Sequence, residues 1–304
     1  MKEITVISGK GGTGKTTLVA SFAALAAGKT VVADCDVDAP DLHLLLHPEI
    51  VKKEDFFGVK VAVLDKTKCV ECGLCEEACR FNAVYSSGEE QGYAVNPARC
   101  EGCGACVFVC AAYGQKALAL KERVSGYAFV SKTSYGTMAH AQLKAAEETS
   151  GKLVTVVRTN ARQAAEAEGC ELVLIDGSPG IGCPVIASLT GVDLALVVTE
   201  PTMSGLHDLE RILDVTRHFG IASAVCINKY DINEENSRRI SEFCQERGIP
   251  VAGEIPYDPF VTAAMVAGLP VVAFSAAKGS AGEGAGQGAV VNAIKKVWQA
   301  VNSC

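Results

Sequence analysis

The stretch SGKGGTGKTT, residues 8–17, follows an apolar run at the start of the chain and precedes the helix-like segment TTLVASFAALAA. Residues 9–16 fit the pattern Gly-x4-Gly-Lys-[Ser/Thr] in the strand-to-helix context that the pattern requires. In such a loop the backbone N–H groups surround phosphates, and the helix start adds a partial positive charge. Lys15 should reach the β and γ phosphates, and the Thr16 hydroxyl should ligate Mg²⁺. The predicted phosphate-binding residues are Gly9, Lys10, Gly11, Gly12, Thr13, Gly14, Lys15, Thr16 and Thr17.

Acidic residues follow two further apolar runs. The segment ADCDVDAP carries Asp34, Asp36 and Asp38, and the segment LVLIDGSPG carries Asp176. Alternate residues of an extended segment share a face, so the first three carboxylates can converge on Mg²⁺ and on an attacking water. Asp176 matches the acidic residue that holds Mg²⁺ through water in phosphate-loop enzymes. The predicted magnesium site therefore consists of Thr16, Asp34, Asp36 and Asp176.

Outward from the loop, Val- and Ile-rich runs alternate with amphipathic stretches. The predicted strands are continuously apolar, which is typical of strands covered on both faces of a parallel sheet: EITVISG, TVVADCD, LVTVVR, ELVLIDG, LALVVTE, ASAVCINK and PVAGEIP. Between them, stretches such as GLHDLERILDVTRHFG have the apolar spacing of a helix. The alternation predicts an α/β fold with a doubly wound, mostly parallel sheet.

Composition narrows the classes of function. The chain has 304 residues, of which 49% are apolar and 21% charged, as in an ordinary soluble domain. The net charge of −7 gives no strong nucleic-acid signal. The first residues show no leader, and no run reaches the eighteen or so apolar residues of a membrane span. We therefore expect a cytoplasmic protein without membrane association, in which clustered cysteines bind metal rather than form disulfides.

Two cysteine-rich stretches have the same spacing. CVECGLCEEAC, residues 69–79, and CEGCGACVFVC, residues 100–110, both read Cys-x2-Cys-x2-Cys-x3-Cys, which indicates an internal duplication. They interrupt the α/β pattern, so we predict a small α+β domain, residues 63–122, inserted into a host domain of residues 1–62 and 123–304.

The cysteine spacing favours iron–sulfur clusters. Three thiolates at this spacing surround one face of a compact cluster, and in two-cluster bacterial ferredoxins the fourth ligand comes from the other repeat. Two zinc sites are the alternative, although zinc does not call for a third cysteine at this spacing. The sequence thus predicts two [4Fe–4S] clusters in a ferredoxin-like domain. Their ligands would be Cys69, Cys72, Cys75 and Cys110 for the first, and Cys79, Cys100, Cys103 and Cys106 for the second.

The motifs together resemble the MinD/ParA superfamily of P-loop ATPases, in a form with an inserted ferredoxin domain. The resemblance spans essentially the whole chain and includes GKGGTGK, with its additional lysine Lys10, and DGSPGIGCPV, VVTEPTMSGLHDL, INKYD and IPYD. It implies that Lys10 contacts phosphates bound by a partner subunit, and that Asp36 orients the attacking water. Lys10, Lys15 and Asp36 are therefore the predicted catalytic residues. The resemblance also implies that the Gly180 backbone senses the γ-phosphate.

INKYD and IPYD resemble the base-binding loops of the same class. The implied base-binding residues are Asn228, Lys229, Pro256, Tyr257 and Asp258. Residues 228–231 also fit the Asn-Lys-x-Asp pattern that reads guanine, so GTP stays open as an alternative, with ATP favoured.

The combination implies an Mg-ATP-binding, iron–sulfur ATPase. Its nucleotide-dependent dimer conformation would be coupled to electron transfer or to contact with a redox partner, in anaerobic redox or metal-cofactor metabolism. The dimer could be a homodimer or a heterodimer with a related ATPase, and the redox or metal-cofactor partner is unidentified. The alternatives are a carrier ATPase for iron–sulfur or metal-cofactor assembly, and a ParA/MinD-like positioning switch with a ferredoxin sensor.

Two further features leave alternatives open. Cys183, in PGIGCPV, could face a dimer interface or a transferred metal, but a small buried residue at a helix start is the preferred interpretation. The final segment VVNAIKKVWQAVNSC predicts an amphipathic helix. True MinD proteins use such a tail on membranes, whereas docking onto the host domain is preferred here.

Overall fold

The computed structural model of the chain describes residues 1–88, 92–144, 150–278 and 285–303. The strands are β1 Lys2–Ser8, β2 Thr30–Asp34, β3 Glu49–Leu64, β4 Val84–Ser86, β5 Tyr93–Val95, β6 Leu118–Thr133, β7 Gly136–Leu143, β8 Leu172–Pro179, β9 Leu194–Thr199, β10 Ala222–Asn228 and β11 Val251–Ile255. The helices are α1 Lys15–Ala26, α2 His43–Leu46, α3 Leu74–Glu77, α4 Ala105–Ala112, α5 Ser150–Glu168, α6 Cys183–Leu189, α7 Met203–His218, α8 Glu234–Glu246, α9 Pro259–Val266, α10 Val271–Lys278 and α11 Ala285–Ser303. A short 3₁₀ helix spans Tyr230–Ile232.

Nine of these strands form one sheet in the order β11-β10-β9-β1-β8-β2-β7-β6-β3. β1 pairs in parallel with β8 and β9, β10 with β9 and β11, and β2 with β8 and β7. The predicted α/β fold with a mostly parallel sheet is thereby confirmed. The predicted strand at LVTVVR, residues 153–158, was wrong, because these residues lie in α5. Leu153, Val157 and Ala161 are all buried, at the spacing of one helix face. Because parallel strands end at the same edge of a sheet, the segments after β1, β2, β8, β9, β10 and β11 meet there, which is where open α/β sheets bind ligands.

The chain divides into two compact units. One consists of Met1–Glu54, Ala128–Gln142 and Ser150–Cys304, and the other of Asp55–Tyr127 and Leu143–Thr149. We call the first the ATPase unit and the second the cysteine unit, because it contains both cysteine repeats.

The ATPase unit has an extensive apolar core. Val290, Ile294 and Val297 of α11 are at most 1% exposed, and Trp298 lies 5.2 Å from Phe22 of α1, between ring centroids. The amphipathic final helix therefore docks onto its own domain, as predicted, since burying such an apolar stripe stabilises a helix.

The duplication in the cysteine unit extends to the backbone. Glu71 and Gly73 of the first repeat have φ of 57° and 81°, and the equivalent Gly102 and Gly104 have 64° and 79°. Gly73 directly precedes α3 and Gly104 directly precedes α4. A Cβ at Gly102 would lie 2.3 Å from the Lys60 carbonyl oxygen, so a side chain there would clash with β3. β4 and β5 form a separate two-stranded antiparallel sheet.

In the part of the chain that the structure describes, no single helix is long and apolar enough to cross a membrane. The pair Pro259–Val266 and Val271–Lys278, bent by 89°, meets the criteria of length and composition only when the two helices are taken together.

Candidate functional site

The path of the phosphate loop between β1 and α1 depends on two glycines. Gly12 and Gly14 have φ of 79° and 93°, which residues with a Cβ rarely adopt. Gly14 directly precedes α1, so its conformation sets the direction of the first free N–H groups of that helix. A Cβ at Gly14 would lie 2.5 Å from Nδ2 of Asn228. This amide donates a hydrogen bond to the Thr13 carbonyl at 2.8 Å, so the end of β10 holds the loop in place.

Two buried carboxylates lie at neighbouring positions of β2 and β8. Asp34 and Asp176 are paired in register, and each is 1% exposed. Among the described residues, Oδ2 of Asp34 and both carboxylate oxygens of Asp176 are buried without a hydrogen-bond partner. Burial raises the pKa of both groups, and the nearby Thr16 hydroxyl and Lys15 ammonium offset this only in part at Asp176. Buried acceptors without partners are costly, so this pair suits a bound cation.

Lys15 and Asp36 lie close to the same pair. Lys15 is 6% exposed, and burial lowers its pKa although Asp176 and Asp36 act in the opposite direction. Burial raises the pKa of the half-buried Asp36, which Lys15 opposes. The backbone N–H of Asp36 donates to Oδ1 of Asp34 at 3.2 Å. The structure thus brings these four predicted residues together, whereas Asp38 is exposed.

Three groups predicted to contact the nucleotide have partners within the chain. Nζ of Lys10 lies 3.3 Å from Oε2 of Glu200, and Nζ of Lys229 lies 2.5 Å from Oε1 of the same side chain. The backbone N–H of Gly180 donates to the Ser8 carbonyl at 2.9 Å. These contacts describe the chain alone, and the roles predicted for Lys10, Lys229 and Gly180 stay predictions.

The two predicted base-binding loops contact each other. Oδ1 of Asp231 accepts a hydrogen bond from the Tyr257 backbone N–H at 2.7 Å. The Tyr257 side chain is exposed and Pro256 is partly exposed, so both are accessible. Asp258 begins α9 as its N-cap, since its Oδ1 accepts the backbone N–H two residues further on at 2.8 Å.

The cysteine unit contains two cavities, each lined by four cysteines. Both are lined mainly by apolar atoms and are partly open to solvent. In each, three cysteines of one repeat meet the fourth cysteine of the other repeat. The first is lined by Cys69, Cys72, Cys75 and Cys110, and the second by Cys79, Cys100, Cys103 and Cys106.

Backbone N–H groups donate to three of these sulfurs. The sulfurs of Cys79, Cys100 and Cys110 accept such bonds at 3.3, 3.4 and 3.3 Å. Donors of this kind favour a negatively charged sulfur, as metal-bound thiolates require. In residues 1–88, 92–144, 150–278 and 285–303, however, no group of three or more His, Cys, Asp or Glu side chains is placed to hold a metal ion. The iron–sulfur clusters therefore stay a prediction.

Comparison with known proteins shows the family. Residues 4–271 match the family described as the CobQ/CobB/MinD/ParA nucleotide binding domain. The chain belongs to this family. It is a P-loop ATPase of the MinD/ParA type, and the P-loop ATPases of this family hydrolyse ATP.

Individual relatives agree with this assignment. The chain is 33% identical over 236 residues to Uncharacterized protein MJ0578 of Methanocaldococcus jannaschii, covering 77% of this chain and 80% of that protein. Its fold is similar to that of the septum site-determining protein MinD from Pyrococcus horikoshii, solved in complex with Mg-ADP. The TM-score is 0.56, the identity 18%, and the match covers 99% of this chain and 96% of that one. MinD of Aquifex aeolicus, solved in a complex with MinC, gives 0.54 at 17% identity and covers 100% and 96%.

Sequence reasoning missed two acidic residues of this ATPase and misjudged one cysteine. Glu200 contacts the predicted site residues Lys10 and Lys229. The only feature of the sequence that could have indicated Glu200 is its position directly after β9. Asp208 of α7 packs so closely on the loop that a Cβ at Gly9 would lie 2.4 Å from its Cβ, and no local pattern indicates this. The preferred interpretation of Cys183 as a buried residue was wrong, because this first residue of α6 is exposed.

Proposed function

We propose that the chain is a dimeric, Mg²⁺-dependent ATPase that holds two [4Fe–4S] clusters and couples its nucleotide state to electron transfer or to contact with a redox partner. The observation that carries this proposal is the sorting of eight cysteines into two cavities, each with three ligands from one repeat and one from the other. This is the ligand pattern of two-cluster bacterial ferredoxins. A cytoplasmic location suits such thiols, because reducing compartments keep them free of disulfides.

The residues around the phosphate loop fit Mg-ATP. Asp34 and Asp176 offer buried oxygens without partners, and Mg²⁺ is commonly held by one or two carboxylates together with water and phosphate oxygens. Thr13 Oγ1 is likewise buried without a hydrogen-bond partner in the described part of the chain. Bound Mg²⁺ would neutralise charge that develops on the transferred phosphoryl group.

The chain's own side chains have separate roles in this proposal. Lys15 binds the β and γ phosphates, and Asp36 orients the attacking water from its half-buried position beside Lys15. Lys10 contacts the phosphates of the partner subunit, so that nucleotide binding and dimer formation depend on each other. Gly180 responds to the γ-phosphate through its backbone.

The base-binding loops favour adenine over guanine. A guanine-reading Asp uses its carboxylate on the base, but one oxygen of Asp231 already accepts the Tyr257 backbone N–H. The Mg-ADP held by the MinD protein of Pyrococcus horikoshii also supports an adenine nucleotide. In this proposal Asn228, Lys229, Pro256, Tyr257 and Asp258 surround the base.

The cysteine unit supplies the redox part of the proposal. The two cysteine sets would each hold one cluster, and backbone donors to Cys79, Cys100 and Cys110 would stabilise the bound thiolates. Such clusters, when bound, supply one-electron transfer.

The decisive experiment is anaerobic. The protein is purified without oxygen, its iron and sulfide are counted, and the EPR spectrum of the reduced protein is recorded with and without Mg-ATP. We expect about eight irons, four per cluster, and a spectrum that responds to Mg-ATP. The Lys15→Ala variant, which should bind Mg-ATP about ten- to hundred-fold more weakly, is the control and should keep the iron but lose the response at Mg-ATP concentrations that saturate only wild type. Zinc in place of iron would overturn the proposal, and an unchanged spectrum in wild type would remove the coupling.

Two alternatives are each favoured by one observation. The likeness in fold to MinD favours a ParA/MinD-like positioning switch with the cysteine unit as a redox sensor. Such a switch predicts nucleotide-dependent recruitment to a partner protein, as MinC is a partner of MinD in the Aquifex aeolicus complex. The exposed thiol of Cys183 favours a carrier ATPase for cluster or metal-cofactor assembly. That function predicts transfer of iron to an apo-protein, which should fail after Cys183→Ser.

A further inference from the structure

Lys10, the additional lysine of the phosphate loop, does not extend into solvent. Its Nζ lies 3.3 Å from Oε2 of Glu200, 3.3 Å from Oγ1 of Thr202 and 3.5 Å from Oγ of Ser204. Thr202 is the N-cap of α7 and accepts the Gly205 backbone N–H through the same Oγ1 at 2.9 Å. The ammonium group is thus held against the start of α7, on a rigid helix cap.

Glu200 is the one charged partner of Lys10 among the described residues, and it has a second cation. Its Oε1 lies 2.5 Å from Nζ of Lys229, while its side chain is only 16% exposed. Lys229 directly follows Asn228, which donates to the Thr13 carbonyl in the phosphate loop. The Glu200 carboxylate therefore connects Lys10, at the beginning of the phosphate loop, with Lys229 directly after β10, next to the Asn228 side chain that contacts Thr13 in the same loop.

This arrangement has an electrostatic consequence. The single Glu200 carboxylate offsets one of the two positive charges of Lys10 and Lys229. The two lysines therefore attract a nucleotide phosphate less than two free ammonium groups would. Phosphate and the Glu200 carboxylate compete for the same donors. The Gly180 backbone N–H is similarly engaged, by the Ser8 carbonyl at 2.9 Å.

We propose that Glu200 is a positioning residue that restrains Lys10 in the nucleotide-free chain and opposes nucleotide-dependent dimer formation until phosphate displaces it. Glu200 acts through Lys10 rather than on the reacting atoms. The inference rests on the proposed nucleotide binding at the phosphate loop and on the proposed role of Lys10, and it is independent of the iron–sulfur clusters. It adds a regulatory residue that the recognised motifs do not contain.

The test is the neutral, nearly isosteric variant Glu200→Gln. Binding of the slowly hydrolysed analogue ATPγS with Mg²⁺ is measured by calorimetry, and the oligomeric state by sedimentation. Releasing one partly buried ion pair should tighten binding about three- to ten-fold and shift dimer formation to lower protein concentration. The matched control is Glu210→Gln on α7, whose ion pair with Arg247 lies outside the site, and it should bind like wild type.

A double-mutant cycle separates this role from a purely structural one. If Glu200 acts through Lys10, the gain from Glu200→Gln should disappear in a Lys10→Ala background. A gain that persists there in full would overturn the proposal, as would unchanged or weaker binding by a Glu200→Gln protein that melts like wild type. Failure of wild type itself to bind ATPγS would instead contradict the proposed function.

A second measurement needs no nucleotide. Acetylation of Lys10 by a limiting reagent is followed by mass spectrometry, with the exposed Lys52 as internal reference. We expect the Lys10 rate to rise in Glu200→Gln, because the neutral amide no longer holds the ammonium group in an ion pair. Equal Lys10 rates in wild type and Glu200→Gln would show that Glu200 does not restrain the lysine.

Discussion

The phosphate loop and the cysteine unit differ in what holds them in place. The phosphate loop connects β1 and α1, which contribute to a large apolar core in the ATPase unit. This core includes Phe22, Ile4 and Leu196, each 0% exposed. One buried apolar cluster of the cysteine unit, within the described residues, contains Ala62, Cys75, Val84, Cys106 and Leu118. Two of its members are predicted cluster ligands. The phosphate loop is therefore held by the fold around it, whereas we expect the order of the cysteine unit to depend on the clusters proposed for it.

If the proposed clusters are bound, removal of their iron should have the largest effect, and that effect should be confined to the cysteine unit. Anaerobic treatment with a chelator should abolish hydrogen-exchange protection of residues 69–79 and 100–110, because little apolar surface remains to hold them. Residues 172–179 of β8 should stay protected, and nucleotide binding should persist. Cysteine-unit peptides that stay protected after the iron has gone would contradict the comparison.

Phe22→Ala should be the most destabilising single substitution in this series. The ring is fully buried against Trp298, so its loss should lower the free energy of unfolding of the ATPase unit by about 3–5 kcal/mol. The matched control is Phe108→Ala on α4 of the cysteine unit, whose ring is 74% exposed and whose loss should change little. Urea denaturation followed by circular dichroism measures both.

Lys15→Ala should remove function without removing the fold. Its ammonium group is buried beside Asp176 and Asp36, and a charged hydrogen bond to phosphate is worth about 1.5–3 kcal/mol. We expect Mg-ATP affinity to fall about ten- to hundred-fold and hydrolysis to reach background. Calorimetry and phosphate release provide the measurements, and a melting temperature far below that of wild type would instead indicate a structural role.

Glu3→Gln should give the smallest effect, visible as a pH dependence. Burial alone would raise the pKa of Glu3, but hydrogen bonds from Arg162 and Arg158 lower it below its ordinary value of 4.5. Because the folded pKa lies below the unfolded one, the stabilisation is fully present above pH 4.5 and is lost as the pH falls towards the folded pKa.

At pH 7 we expect Glu3→Gln to lose about 1 kcal/mol, since a neutral amide makes weaker hydrogen bonds than a carboxylate. The difference from wild type should shrink as the pH falls below 4.5. Glu168→Gln, which breaks the exposed pair with Lys132, is the control and should change stability by less. A Glu3 effect independent of pH between 3 and 7, in urea titrations, would contradict the assigned cause.

Local spacing was sufficient for the parts of this protein that short segments determine. The phosphate loop follows from residues 8–17 alone, because only glycine adopts the positive φ of Gly12 and Gly14 without strain. The parallel sheet follows from continuously apolar runs, since strands covered on both faces need no polar side.

Only the tertiary structure determined which charged side chains lie close to one another. Asp34 and Asp38 look alike in ADCDVDAP, yet the first is buried beside Asp176 and the second is exposed, because β2 ends between them. Glu200 meets Lys10 across 190 positions of chain only because β9 and β1 are neighbours in the sheet. Which cysteine joins which repeat was inferred from ferredoxins and stays a prediction; in the folded chain each cavity is lined by cysteines of both repeats. Local pattern determines the backbone of a turn or a strand, whereas the pairing of distant side chains depends on strand order, which only the folded chain decides.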